Sequence, residues 1–299
     1  MNQDLSVVYN VHHGEAFGVL IALYFFLTGL SAGSFVISTL AYGFGLERYR
    51  PLGRLGVVAA TLTLLAAPLC LLLHVGRPLA VWRLFWNLNP TSPLTWGSFL
   101  LVGYPIVCIL YGSAVFSERA RLARGLGLAG IPLAMAVHGY TGFVLSFAKA
   151  RPLWHTSMMP VLFLVSAMVS GVALTMLLCM VRMRRAGERR ETFEGALKGM
   201  GRILGWLLVA DLTLTWSEMA VMSVSGERAH EAAGILLTGP LAPYYLGLET
   251  FAGKLAPMVI ALFGGQRIAW LGLAALLALV GILVMRFNIV LGGEYLPLV

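Results

Sequence analysis

Charged residues are scarce. Asp, Glu, Lys and Arg make up 11% of the 299 residues, against an apolar share of 59% and a mean hydropathy of +0.85. A water-soluble protein carries roughly a quarter charged residues, so an ordinary soluble domain is excluded. Cysteine is thin as well. Cys70, Cys108 and Cys179 stand singly in apolar runs, as packing residues. Without a Cys-x-x-Cys pair, a ferredoxin-type run or a Cys/His zinc spacing, the sequence has no pattern for its own iron–sulfur cluster or zinc. Long connections are missing too: the longest, at about 20 residues, are too short for a separate domain. The first 16 residues lack Lys and Arg, and the apolar run behind them is too long for a signal core. The first helix is therefore expected to be retained.

What is present is a series of runs long enough to cross a bilayer, which takes about 20 residues. Eight are read, at 17–45, 52–75, 94–117, 125–148, 156–181, 202–223, 244–264 and 268–290. The expected fold is all-α and integral to the membrane, one polytopic domain over 1–299. The connections after helices 1, 3, 5 and 7 hold 14 of the 21 Lys and Arg, seven of them in 182–202. The N-terminus, the other connections and the C-terminal end account for six, leaving Lys254 inside a helix. Basic connections stay cytoplasmic, so both termini are expected on the outer side of a bacterial inner membrane. The net charge of +8 is thus a topology signal. No aromatic-interleaved basic surface accompanies it, and nucleic acid is rejected as a partner in favour of membrane lipid.

Small residues recur at close-packing spacing: Gly29 with Gly33 on helix 1, and Ser166, Ser170 and Gly171 on helix 5. Arg-Pro-Leu recurs at 77–79 and 151–153, beyond the outer ends of helices 2 and 4. The recurrence suggests two four-helix bundles with related caps. Trp82 and Trp86, four apart, read as one face of a short surface helix at the depth where indoles anchor.

The most telling residues are those that lipid should exclude. Asp211 and Glu218 fall seven apart on helix 6, Glu249 and Lys254 on helix 7, His138 and Tyr140 on helix 4. Burying a charge costs about 2.5–3.5 kcal/mol on insertion scales, so these groups must face the bundle interior. At about 1.5 Å per residue they crowd the outer half of the membrane. That asymmetry suggests a pocket reached from the outer leaflet with a short proton path behind it. A purely structural reading pairs Lys254 with Asp211 or Glu218 instead. His12, His13, Glu15, His74, Lys149 and Arg151 would surround the mouth, where a histidine can bond a carbonyl oxygen and relay a proton.

Four segments together resemble the NrfD/PsrC family, the latter named for the polysulfide reductase membrane subunit: "LIALYFFLTGLSAGSF" (20–35), "VGRPLAVWRLF…SPLTWGSFLL" (75–101), "HGYTGFVLSFAKARPLW" (138–154) and "GKLAPMVI" (253–260). Their order and spacing make the joint match specific. The resemblance implies a haem-free, metal-free membrane subunit that binds menaquinone or ubiquinone near the outer face. It implies two partners there, a four-cluster, ferredoxin-like iron–sulfur subunit and a molybdopterin catalytic subunit. By position, Tyr140 resembles the tyrosine that bonds the quinone. His13 resembles the polar ligand before the first helix, with Asn10 beside it, and Glu249 the acidic residue of its helix. His74 is expected to join the quinone site. Glu15, Glu218 and Glu249 are candidate proton acceptors, with His138, Asp211 and Lys254 as the proton path. His12 is expected to face solvent, and the connections 75–94 and 224–243 to form the docking surface.

Two other readings stay open. A proton-coupled transporter would also carry intramembrane Asp, Glu and Lys, although here they crowd one half of the membrane. A b-type cytochrome subunit needs paired histidines at matched depth, and only His138 lies deep.

Overall fold

The computed structural model describes residues 17–74, 83, 85–86, 89–184, 190–265 and 267–295, and among them all regular structure is helical. Eight helices are long and apolar enough to span a bilayer. They are α1 (Val19–Tyr42), α2 (Arg50–His74), α3 (Pro93–Phe116), α4 (Ala120–Ser146), α5 (Met159–Met183), α6 (Arg190–Val224), α8 (Pro243–Phe263) and α9 (Ile268–Gly292). A ninth and shorter helix, α7 (Glu227–Leu237), lies between α6 and α8. Prolines begin α3, α5 and α8, where the missing N–H costs nothing. Leu62, Leu69, Phe99, Ile106 and Leu276 project outward, as a lipid-facing belt should.

Two expectations on the elements change. Helix α6 begins at Arg190, well before 202, because Phe193, Ala196, Leu197 and Met200 are buried at helical spacing. Hydropathy alone misses these roughly three turns among charges. The connection 224–243 contains α7, which buries Ala232, Ala233 and Leu236 on one side. Trp86 is exposed, and Trp82 lies outside the described residues.

Helix α1 is central, against α2, α4, α5 and α9. It crosses α5 at Gly33 and Gly171, where a Cβ on Gly33 would stand 2.2 Å from the Ala167 carbonyl oxygen. The expected small-residue packing thus brings two backbones into contact. A second such crossing joins Gly253 of α8 to Gly281 of α9, where a Cβ on Gly253 would fall 2.2 Å from the Gly281 Cα. One core gathers Phe35, Val57, Leu64, Tyr104, Tyr111 and Val137 from α1 to α4. A larger one gathers Phe25, Phe163, Met176, Leu204, Leu271 and Ile282 from α1, α5, α6 and α9.

The two ends of the bundle differ. At the basic end, Arg54 bonds Glu118 at 2.8 Å and Arg48 donates to the Gly195 carbonyl at 2.9 Å. The other end holds Phe17 and Tyr295, the first and last described residues. The Phe17 amide donates to Glu294 Oε1 at 2.6 Å, and the buried Trp154 indole donates to the Ile289 carbonyl at 2.7 Å.

Candidate functional site

The site begins with the winding of α8. Over Pro243–Leu255 the backbone is π-helical: the Ala256 amide bonds the carbonyl of Phe251, five residues back. In an α-helix, residues five apart point roughly 140° away from one another. In π winding they stack, and Glu249 comes to lie along Lys254. Such winding is rare and concentrates at functional sites. The Gly253–Gly281 contact lets α9 press against this stretch.

Lys254 is fully buried and organises three helices. Its Nζ is 2.9 Å from Asp211 Oδ2 on α6 and 3.0 Å from Glu249 Oε1 on its own helix. It also donates to Thr215 Oγ1 at 2.8 Å. Asn288 of α9 donates to the second oxygen of Glu249 at 2.7 Å. The structural expectation is met for Asp211 and corrected for Glu218, since Glu249 is the second carboxylate on the lysine. Glu218 is buried a turn beyond Thr215, and its Oε1 has no hydrogen-bond partner.

Sequence reasoning misplaces a second buried cation. By position Arg286 counts with the C-terminal end, yet it lies inside α9 with no exposure. Its guanidinium donates to Ser166 Oγ at 2.6 Å and lies 3.2 Å from His138 Nε2. Its flat face covers the Phe163 ring at 3.8 Å. The other His138 nitrogen, Nδ1, meets Thr28 Oγ1 of α1 at 3.4 Å. The signal for Arg286 is present in the sequence, because an arginine within an apolar run of that length is as anomalous as Lys254. Thr28, Thr215, Tyr245 and Asn288 escape notice, and Ser166 is read only as a packing residue, because hydroxyls and amides are common in membrane helices.

Among the described residues the buried set therefore holds three carboxylates, Asp211, Glu218 and Glu249, against two cations, Lys254 and Arg286. One bound proton brings it to neutrality. Charges buried without such compensation are strongly disfavoured. Glu218, Glu249 and Arg286 each lie about six residues from the ends of α6, α8 and α9 on the side of Phe17 and Glu294, with Asp211 and Lys254 nearer mid-span.

The other expected residues are spread out. Tyr140 is half-buried and lies over Gly97 of α3, where a Cβ would fall 2.3 Å from its hydroxyl oxygen. A groove of about 760 Å³ opens elsewhere, lined by Lys149, His155, Thr156, Glu218, Met222 and Arg228. It runs between the α4–α5 connection, the end of α6 and α7. Of the expected mouth, Lys149 is there. Arg151 instead stacks over Trp154 at 5.7 Å, and His74 ends α2 away from the groove lining. Asn10, His12, His13 and Glu15 lie outside the described residues.

A family model described as polysulphide reductase, NrfD, matches residues 8–297. The chain belongs to the NrfD family. Among NrfD-like relatives, a selenate reductase subunit of Mesobacillus selenatarsenatis is 26% identical, covering 95% of this sequence and 75% of its own. A polysulfide reductase chain of Wolinella succinogenes is 27% identical over 92% of this sequence and 93% of its own. The Hdr-like menaquinol oxidoreductase integral membrane subunit of Archaeoglobus fulgidus is 26% identical over 91% of this sequence and 69% of its own. The NrfD resemblance read from four short motifs thus extends across nearly the whole sequence.

Proposed function

We propose that this chain is the haem-free, metal-free membrane anchor and quinone-binding subunit of a respiratory molybdopterin oxidoreductase in a bacterial inner membrane. It exchanges electrons between menaquinone or ubiquinone and a four-cluster iron–sulfur subunit docked, with the molybdopterin subunit, on the outer face. The termini lie on that face, and α1–α4 and α5–α9 form its two halves. The observation that carries this reading is the buried set of three carboxylates and two cations among the described residues. Relatives named as subunits of selenate reductase, polysulfide reductase and a menaquinol oxidoreductase support it.

Oxidation of a quinol releases two electrons and two protons, so its site needs hydrogen bonds to both oxygens and a base. Tyr140 and His13 supply those bonds, with Asn10 and His74 completing the head-group site. Glu15, Glu218 and Glu249 receive protons, and Asp211, Lys254 and His138 hold the charge balance behind them. The test is quinol-dependent reduction by the purified complex with His13→Ala and Tyr140→Phe. Loss of quinol turnover is expected, by about tenfold for the single hydrogen bond removed in Tyr140→Phe. The partner's activity towards artificial electron donors should persist. Unchanged quinol kinetics in both variants would exclude this pocket.

The buried ion pairs of Lys254 also suit a proton-coupled transporter. Co-purification separates the two, since a transporter would not bring a molybdopterin enzyme with it. A b-type cytochrome would show haem absorption in the visible spectrum, which is expected to be absent.

A further inference from the structure

Between the groove and the Lys254 cluster lies a small crevice of about 20 Å³. Its polar lining consists of Thr215 and Glu218 of α6, Tyr245 and Glu249 of α8 and Asn288 of α9. The remainder is apolar, including Leu153, Met159, Met219 and Met285. Two of the polar groups, Glu218 Oε1 and the Tyr245 hydroxyl, are buried without a hydrogen-bond partner. Both side chains are more than nine-tenths buried, at 6% and 3% exposure. Glu218 alone among the five also lines the groove.

A buried water needs about 10–15 Å³ and two to four polar partners. The crevice offers room for one water and not for two. We propose that it binds a single water, and that this water carries a proton between Glu218 and Glu249. The hydrogen-bond inventory closes on three bonds. With Glu218 protonated, its carboxyl and the Tyr245 hydroxyl each donate to the water oxygen, and the water donates to Glu249. Thr215 and Asn288 are already engaged, by Lys254 at 2.8 Å and by Glu249 at 2.7 Å. They fix the crevice walls and leave the water to its other partners.

Proton transfer follows without any further reactant. A protonated Glu218 gives its proton to the water oxygen while the water releases one of its own to the Glu249 carboxylate. Lys254, 3.0 Å from Glu249 and 2.9 Å from Asp211, then faces one negative charge fewer. The charge missing from the cluster appears on Glu218, at the groove wall, where solvent can return a proton. The titratable groups that line the crevice are Glu218 from α6 and Tyr245 and Glu249 from α8; Asp211, Lys254 and Arg286 stand behind Glu249. The link enters the cluster from the α6–α7 side, apart from Tyr140, which does not line the groove. It rests on the proton-handling reading above and assigns Tyr245 a role in it.

The water is tested independently of quinone. A cryo-electron-microscopy map of the purified complex, at a resolution that shows ordered water, should place one peak among Glu218, Tyr245 and Glu249. In infrared spectra, a water band shifted by exchange into H2(18)O should move or vanish in Tyr245→Phe. A dry crevice, or a band unchanged in that variant, would overturn the proposal. The relay is tested by the protonated-carboxyl bands: Glu218→Gln should displace the titration of Glu249, because the two groups share a proton. An undisplaced titration would overturn the relay. Failure of the quinone reading looks different, as absent quinol turnover with the water band intact.

Discussion

At the scale of the residue, Lys254 is the most consequential side chain. Truncating one member of a buried ion pair costs about 3–5 kcal/mol, because a charge is left uncompensated, and Lys254 serves two carboxylates. Lys254→Met should therefore depress accumulation in the membrane and lower the unfolding temperature in detergent. Adding Asp211→Asn and Glu249→Gln should recover most of the loss; no recovery would mean that Lys254 acts through packing. Gly97 offers a prediction of a different kind. Gly97→Ala puts a methyl group 2.3 Å from the Tyr140 hydroxyl oxygen, so the ring must move. Quinol turnover should fall as it does in Tyr140→Phe, while artificial-donor activity persists. These residues are unequally legible. Asp211, Glu249 and Lys254 stand out as charges in apolar runs, and Arg286 has the same signature, masked by its nearness to the terminus. Gly97 carries no signal in sequence, since its role arises only when α4 lays Tyr140 over α3.

At the scale of the element, the winding of α8 decides which groups meet. Glu249 and Lys254 are five apart, a spacing that an α-helical reading assigns to different faces. Nothing in "PYYLGLETFAGKL" announces π winding, so the pairing is hidden even though both residues stand out singly. The winding depends on the close approach of α9. Gly253→Leu should cost at least the roughly 1–3 kcal/mol typical of overpacking, seen as a lower unfolding temperature and loss of quinol turnover. Gly247→Ala on the same stretch is the control, for a Cβ there has open space around it, and stability should hold. Helix α7 and the early start of α6 escape for another reason. Their apolar faces are narrow and sit among charges, which a hydropathy window averages away.

At the scale of the whole molecule, the number of spans and their approximate limits are legible because lipid demands length and apolarity at once. The proposed orientation rests on the basic residues at one end and is open to direct test. A membrane-impermeant thiol reagent should label Ala150→Cys in intact cells, and Ser117→Cys only after the membrane is opened. Both positions are exposed, at opposite ends of the bundle, while the native cysteines are buried or half-buried. The reverse pattern would invert the assignment. What sequence does not supply is registration, meaning how far one helix is slid along the next. Here the contact of Gly33 with Gly171 acts as a datum. Thr28 and Ser166 each lie five residues from it, about 7.5 Å along their helices, and they hold His138 and Arg286 respectively. Backbone against backbone leaves no rotamer to absorb an error. The tolerance on where that histidine and arginine meet is therefore set by two atoms of hydrogen on glycine.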